Sequence, residues 1–240
     1  MAGRSSIEWT ELTWNPVTGC TKVSAGCKNC YAERMAKRLQ AMGVEQHRQG
    51  FKVNLAPQAL TAPYSWKSPK FVFVNSMSDL FHEDVPVDYI EKVFAVMQAN
   101  NLHTYQILTK RAERLKELSS HLTWPENVWL GVSVENQGVA YRLDLLKQVP
   151  AKVRFVSFEP LIGEVTSLNL AGLNWVIVGG ESGPGARPMD REWVLDLRDQ
   201  CLDAGVAFFF KQWGGVQKKK AGRLLEKRTW DQMPHEAALS

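Results

Sequence analysis

From Phe71 onward the chain alternates short apolar runs with helical stretches, and that rhythm admits few folds. Residues 71–74, 103–108, 128–133, 153–157, 175–178 and 207–210 read as strands, rich in β-branched and aromatic side chains. Between them, residues 87–99, the stretch ending near 119, residues 141–146 and residues 191–202 carry helical periodicity. Strand–helix–strand units of this kind build parallel sheets covered on both faces and joined by right-handed crossovers. With a first strand at residues 12–15, the count reaches about six to seven parallel strands. That number suits an α/β fold of the partial or irregular (β/α) TIM-type barrel class. A flat doubly wound sheet is disfavoured because no G-x-G-x-x-G follows the first strand.

Polar or small residues stand just past nearly every apolar run. They include Ser76, Ser78, Asp79, Thr109, Lys110, Ser133, Glu135, Glu159, Gly180, Glu181, Lys211 and Gln212. In a β/α barrel these positions converge on the face where active sites are built. The competing reading for any one of them is a cap on the following helix.

The loop after the first strand carries the chemistry. Residues 15–31 read Asn-Pro-Val-Thr-Gly-Cys-Thr-Lys-Val-Ser-Ala-Gly-Cys-Lys-Asn-Cys-Tyr, which places Cys20, Cys27 and Cys30 in the spacing C-x6-C-x2-C. Gly19 and Gly26 precede the first two cysteines, so the backbone is free to bend tightly around whatever the thiolates hold. A closed structural zinc site wants four ligands, usually in two close pairs, and no second C-x2-C exists here. His47 is the nearest downstream histidine for completing such a site. A four-iron four-sulfur cluster on three cysteines leaves one iron open to a small molecule, and clustered intracellular thiols favour a metal over a disulfide. Redox or structural thiols remain the third reading. Cys201 stands apart, on a face with Trp193 and Leu197 at helical spacing, as a core residue would.

At 240 residues, a single domain over 1–240 is the default. No apolar run is long enough to span a membrane and the N-terminus carries no export pattern, so a cytoplasmic location is expected. The net charge of +4 is too mild to name a partner by itself. The nine tryptophans are explained by a bulky core. Two regions break the rhythm: an insertion at 43–70, long enough for a lid or substrate wall, and a basic extension at 212–240. In the extension, Leu224, Leu225 and Trp230 read as buried, and Lys218, Lys219 and Lys220 as a solvated face or a phosphate-contacting arm.

Several stretches together resemble a known family. They are Trp14-Asn-Pro-Val-Thr-Gly-Cys20, Val74-Asn-Ser-Met-Ser-Asp-Leu-Phe81, Phe158-Glu-Pro160, Gly179-Gly-Glu-Ser-Gly183, Phe210-Lys-Gln-Trp213 and Arg228-Thr-Trp-Asp-Gln-Met-Pro234. The chain resembles a phage- and prophage-associated, radical S-adenosylmethionine (SAM)-like family of unassigned substrate, with a variant cysteine spacing. The resemblance implies that Cys20, Cys27 and Cys30 hold a four-iron four-sulfur cluster and that S-adenosyl-L-methionine chelates its open iron. A reductant such as a flavodoxin or ferredoxin would then supply one electron, and the 5′-deoxyadenosyl radical released would abstract hydrogen from a substrate. By strand-end position, Asp79, Ser76 or Ser78 would meet the SAM amino group, Ser133 and Glu135 the ribose, and Lys110 or Arg111 the carboxylate. Glu159 and Glu181 remain for SAM or substrate. The phage association and the basic tail favour a nucleic acid or nucleotide as substrate, with an aromatic near the mouth stacking on an extruded base.

Two other classes compete. One is an iron–sulfur or zinc protein without SAM chemistry, and the other is a nucleic-acid-binding module stapled by its metal.

Overall fold

The computed structural model describes residues 2–5 and 7–234, so residues 235–240 of the extension lie outside it. Its strands, in chain order, are β1 (Ala2–Arg4), β2 (Leu12–Trp14), β3 (Val17–Thr18), β4 (Asn54–Leu55), β5 (Phe71–Val74), β6 (Thr104–Thr109), β7 (Val128–Ser133), β8 (Val153–Phe158), β9 (Trp175–Gly179) and β10 (Ala207–Gln212). The helices are α1 (Tyr31–Ala41), α2 (Val87–Ala99), α3 (Ala112–Leu118), α4 (Arg142–Leu146), α5 (Arg191–Ala204) and α6 (Lys218–Ala221).

Eight strands form one sheet in the order β1-β2-β5-β6-β7-β8-β9-β10. β1 is antiparallel to β2, and from β2 to β10 every neighbour is parallel. The result is a curled half-barrel of seven parallel strands, the partial TIM-type fold that the alternation of elements predicts. β10 runs two residues further than expected. A register irregularity lets Gln212, rather than Lys211, pair with Gly179. Such a bulge re-aims a side chain at a strand end.

Strand residues alternate between two cores. One set, including Val72, Val74, Tyr105, Ile107, Val132, Val156, Val178 and Phe210, packs with helix residues such as Ile90, Val93, Leu115, Val194 and Leu197. The other set, Trp129, Phe155, Trp175, Ile177 and Phe209, packs on Trp9 of the β1–β2 connection. Trp9 meets Phe73 edge-to-face at 4.8 Å and Trp175 at 6.1 Å, and Phe155 lies 5.6 Å from Trp175. Offset and edge-on aromatic pairs of this kind add to the area they bury. All nine tryptophans are buried or packed against a core, as expected of core rather than ligand-stacking residues. Cys201 is fully buried on α5 beside Leu197.

The insertion at 43–70 braces the cysteine loop. β4 pairs antiparallel with β3, and Cys20 donates its backbone N–H to the Phe51 carbonyl at 3.0 Å. The Trp14 indole reaches the Ala59 carbonyl at 2.8 Å, and the Ala56 amide reaches that of Pro16 at 2.8 Å. Backbone hydrogen bonds at Phe51, Asn54, Leu55 and Ala56 fix its middle to the first half of the cysteine loop.

The extension folds back as well. Leu225 and Arg228 form an antiparallel bridge, and Phe210 donates to the Trp230 carbonyl at 2.9 Å. Trp230 is buried against Phe208, with Arg228 stacked 3.7 Å from its ring centroid. Leu225 and Trp230 are buried as expected, whereas Leu224 is exposed. Lys220 is exposed; the side chains of Lys218 and Lys219 lie outside the described set.

Candidate metal centre at the barrel mouth

The cysteine loop leaves the C-terminal end of β2, crosses the mouth and enters α1. Its first half extends the sheet. Gly19 bridges to Ser78 and donates to the Met77 carbonyl at 3.0 Å. Gly19 has φ of +80°, and a Cβ there would lie 2.0 Å from the Lys52 carbonyl oxygen, so no other residue fits this turn. Asn15 and Val17 take up the strand-end serines: Ser76 donates to Asn15 Oδ1 at 3.2 Å and Ser78 to the Val17 carbonyl at 2.8 Å.

Two buried carboxylates clamp the second half. Glu135, past β7, accepts from the Gly26 amide at 3.1 Å and from the Ser24 hydroxyl through Oε1. Its Oε2 is paired with Arg142 at 2.9 Å, and that guanidinium also caps the Ser133 carbonyl at 2.8 Å. Gly26 is a glycine for closeness rather than for a bend, because its Cβ would stand 2.5 Å from Glu135 Oε1. Glu181, past β9, accepts from Asn29 at 2.9 Å and from the Arg187 side chain at 2.6 and 2.9 Å. Arg187 in turn reaches the Ala25 carbonyl at 2.9 Å. Burial pushes the Glu181 carboxyl up, but the Arg187 and Asn29 hydrogen bonds outweigh it and hold the group at about 2.

Asp79 is a junction between strand ends. Its oxygens accept from the Phe81 amide, the Thr109 hydroxyl at 2.7 Å, the Lys110 amide at 3.0 Å and Arg111 at 3.2 Å. Lys110 itself turns toward a cleft of about 430 Å³ shared with Glu113, Tyr141 and Arg142. Glu159 and Lys211 form a largely buried pair at 2.8 Å, with the Ser157 hydroxyl 3.4 Å from the carboxylate.

Of the strand-end residues predicted from sequence, Ser76, Ser78, Glu135 and Glu181 bond directly to the cysteine loop, Lys110 faces the α3–α4 cleft, and Glu159 pairs with Lys211. Here Asp79, Glu135 and Glu181 are engaged with protein partners that hold strand ends and loop together. Arg142 and Arg187 were not among the expected residues. Each lies six or seven positions after its acid, a spacing no simple motif records.

Cys20, Cys27 and Cys30 are free and partly exposed on this loop. Burial, and then the Asp79 charge, push the Cys20 thiol up to about 11 against the opposing pull of Arg111. Among the described residues no three Cys, His, Asp or Glu side chains close into a metal-holding group. The donor set still fits an iron–sulfur cluster better than zinc. Three thiols share one loop, and His82 beside it is already engaged: its Nδ1 accepts from the Asp84 amide and its Nε2 meets the Thr21 hydroxyl. His47 is buried in the brace, with its backbone amide bonded to Val44.

The sequence profile of the family described as Protein of unknown function (DUF5131) matches residues 4–234. The chain belongs to that family. No curated protein matches the sequence. Two solved structures are similar to this DUF5131 chain. One is a spore photoproduct lyase complexed with dinucleoside spore photoproduct, at 14% identity and a TM-score of 0.49, covering 75% of this chain and 58% of the lyase chain. The other is a mutant of the lyase with bound AdoMet and the same dinucleoside, at 14% identity and a TM-score of 0.46, covering 71% and 56%. The DUF5131 chain thus spans less than three-fifths of either lyase chain. A likeness at this level carries no argument about activity. Among the described residues no helix is long and apolar enough to cross a membrane.

Proposed function

We propose that this chain is a radical SAM-type enzyme in which Cys20, Cys27 and Cys30 hold a four-iron four-sulfur cluster at the barrel mouth. The observation that carries the reading is the placement of three free thiols on the loop leaving the first parallel strand, above the converging strand ends. When bound, such a cluster supplies one-electron cleavage of S-adenosyl-L-methionine, with a flavodoxin- or ferredoxin-like donor as the electron source.

The chain's own residues orient and exclude. Glu135 and Glu181 fix the loop that carries Cys27 and Cys30, and the Asn15, Ser76 and Ser78 contacts fix the strand that carries Cys20. The aromatic layer around Trp9 and Trp175 closes the barrel interior beneath the mouth, so ligands enter from the cysteine side. Ser133, Ser157, Glu159 and Lys211 remain as the polar lining for SAM and substrate, because they are not spent on the loop through their side chains, and Lys110 faces the neighbouring cleft between α3 and α4. Nucleic acid or nucleotide is the substrate class we favour. Exposed Lys28 lies between Cys27 and Cys30 on a chain of net charge +4, and a cation beside a mouth attracts phosphate, while Lys22 is paired with Glu33 at 3.0 Å.

Anaerobic reconstitution with iron and sulfide tests this reading, followed by SAM, dithionite and oligonucleotide. The wild-type chain and Cys201→Ala should bind about four irons. Alanine at any of the three loop cysteines should abolish that binding. Formation of 5′-deoxyadenosine, increased by the oligonucleotide, is the expected product signature. Normal iron content in Cys27→Ala, or a loaded protein that never cleaves SAM, would overturn the proposal.

A further inference from the structure

Arg111 has an unusual position for an arginine at a strand end. It follows β6, its side chain is only 4% exposed, and each of its three nitrogens has partners. Nε donates to both Glu83 oxygens, at 3.0 and 2.9 Å. Nη1 donates to Asp79 Oδ2 at 3.2 Å and to Cys20 Sγ at 3.4 Å. Nη2 donates to the Thr21 carbonyl at 3.3 Å and to its hydroxyl at 2.9 Å.

Two anchors hold the guanidinium in place. Asp79 cannot swing away, because the Thr109 hydroxyl and Lys110 amide pin it. Thr21 is held from the other side by His82: the Asp84 amide donates to Nδ1, so Nε2 carries the proton and donates to the Thr21 oxygen at 2.9 Å. Among the described residues neither other loop cysteine has a cationic donor; Cys27 Sγ meets the Ser24 hydroxyl at 3.9 Å. The Arg111–Cys20 contact is therefore specific to one of the three thiols.

We propose that Arg111 is a positioning residue that orients Cys20 and raises the reduction potential of the cluster bound there, through the Nη1–H···Sγ hydrogen bond. This rests on the reading of Cys20, Cys27 and Cys30 as cluster ligands. A hydrogen bond to a ligating sulfur withdraws electron density and so favours the added electron. Asp79 and Glu83 balance the guanidinium charge, so the hydrogen bond to sulfur, not a net positive field, carries the effect. Lysine is no substitute. A point charge cannot reach Cys20 while also serving Asp79, Glu83 and Thr21, whereas the planar fork does. The plainer role, an ion-pair staple between the β5 and β6 ends, needs only Asp79 and Glu83 and predicts no effect on potential.

The test is a redox titration of reconstituted protein with dithionite and mediator dyes, followed by optical absorbance and electron paramagnetic resonance. Iron content and thermal melting are recorded in parallel. Arg111→Gln should keep iron but shift the midpoint potential to more negative values, with Arg111→Lys shifted less. Arg114→Gln, a control whose guanidinium reaches the His82 and Val85 carbonyls instead, should leave the potential unchanged. If Arg111→Gln does not fold, Arg111→Lys decides, since it keeps a charge beside Asp79. Iron bound at an unchanged potential in the Arg111 variants overturns this inference alone. A wild-type chain that takes up no iron overturns the cluster reading, and this inference with it.

Discussion

At the scale of single residues, Gly26 shows how closely the cysteine loop is fitted to the barrel. Both glycines before cysteines suggest a tight bend, and Gly19 fulfils that with its left-handed backbone. Gly26 does not; it is small because the Glu135 carboxylate occupies the space a side chain would need. Sequence alone cannot separate these cases, since the neighbour that decides the second lies 109 residues away. The structure makes Gly26→Ala a sharp probe. A methyl group 2.5 Å from Glu135 Oε1 forces the buried acid off Gly26, Ser24 or Arg142. Disturbing a buried ion pair and overpacking its site costs about 1–3 kcal/mol. Chemical denaturation of Gly26→Ala should show a loss of that size, and iron retention during gel filtration should fall with it. A variant as stable and iron-retentive as wild type would mean that the loop does not depend on the Glu135 clamp.

At the scale of elements, most strands and helices are legible because each pairs a strong local pattern with clear punctuation. α2 occupies 87–99 as its periodicity predicts, entering after Pro86, and β5 and β7 match their apolar runs. Less visible are the ties between elements. Glu181 is readable as a strand-end acid, but its link from β9 through Asn29 to the start of α1 depends on tertiary placement. That link has a pH signature. The ordinary value for Glu181 is 4.5 and the folded value is about 2, so the folded state prefers the ionised form. Its contribution is full above pH 4.5 and is lost as pH falls toward 2, amounting to about 3 kcal/mol across the window. Hydrogen bonds also depress other carboxylates, such as Glu11 and Glu33. The informative quantity is therefore the difference between wild type and Glu181→Gln. Their stability gap should be large at pH 6 and close as pH drops below 3. A gap independent of pH would remove the ionised clamp from the account.

At the scale of the whole molecule, the half-barrel is closed from below by aromatic packing and left polar above. Trp175 is central to that floor: it meets Trp9, Trp129, Phe155 and Phe209 at 5.6–6.1 Å between ring centroids, and its indole donates to the Gln232 carbonyl at 2.8 Å. One residue thus ties the first connection, three central or late strands and the returning C-terminal segment. The strand pattern marks Trp175 as core, but not that its partners come from both ends of the chain. Separating floor from mouth gives a whole-fold prediction. Trp175→Ala should destabilise the protein by about 3–5 kcal/mol, the range for emptying a large aromatic from a core. Yet no thiol and none of the clamping acids touches Trp175, so protein that remains folded at low temperature should bind as much iron per chain as wild type. Urea denaturation and iron analysis on the same samples measure both quantities. A normal melt would show that the floor contributes little to stability, whereas iron loss from folded Trp175→Ala would show that floor and mouth are one coupled unit.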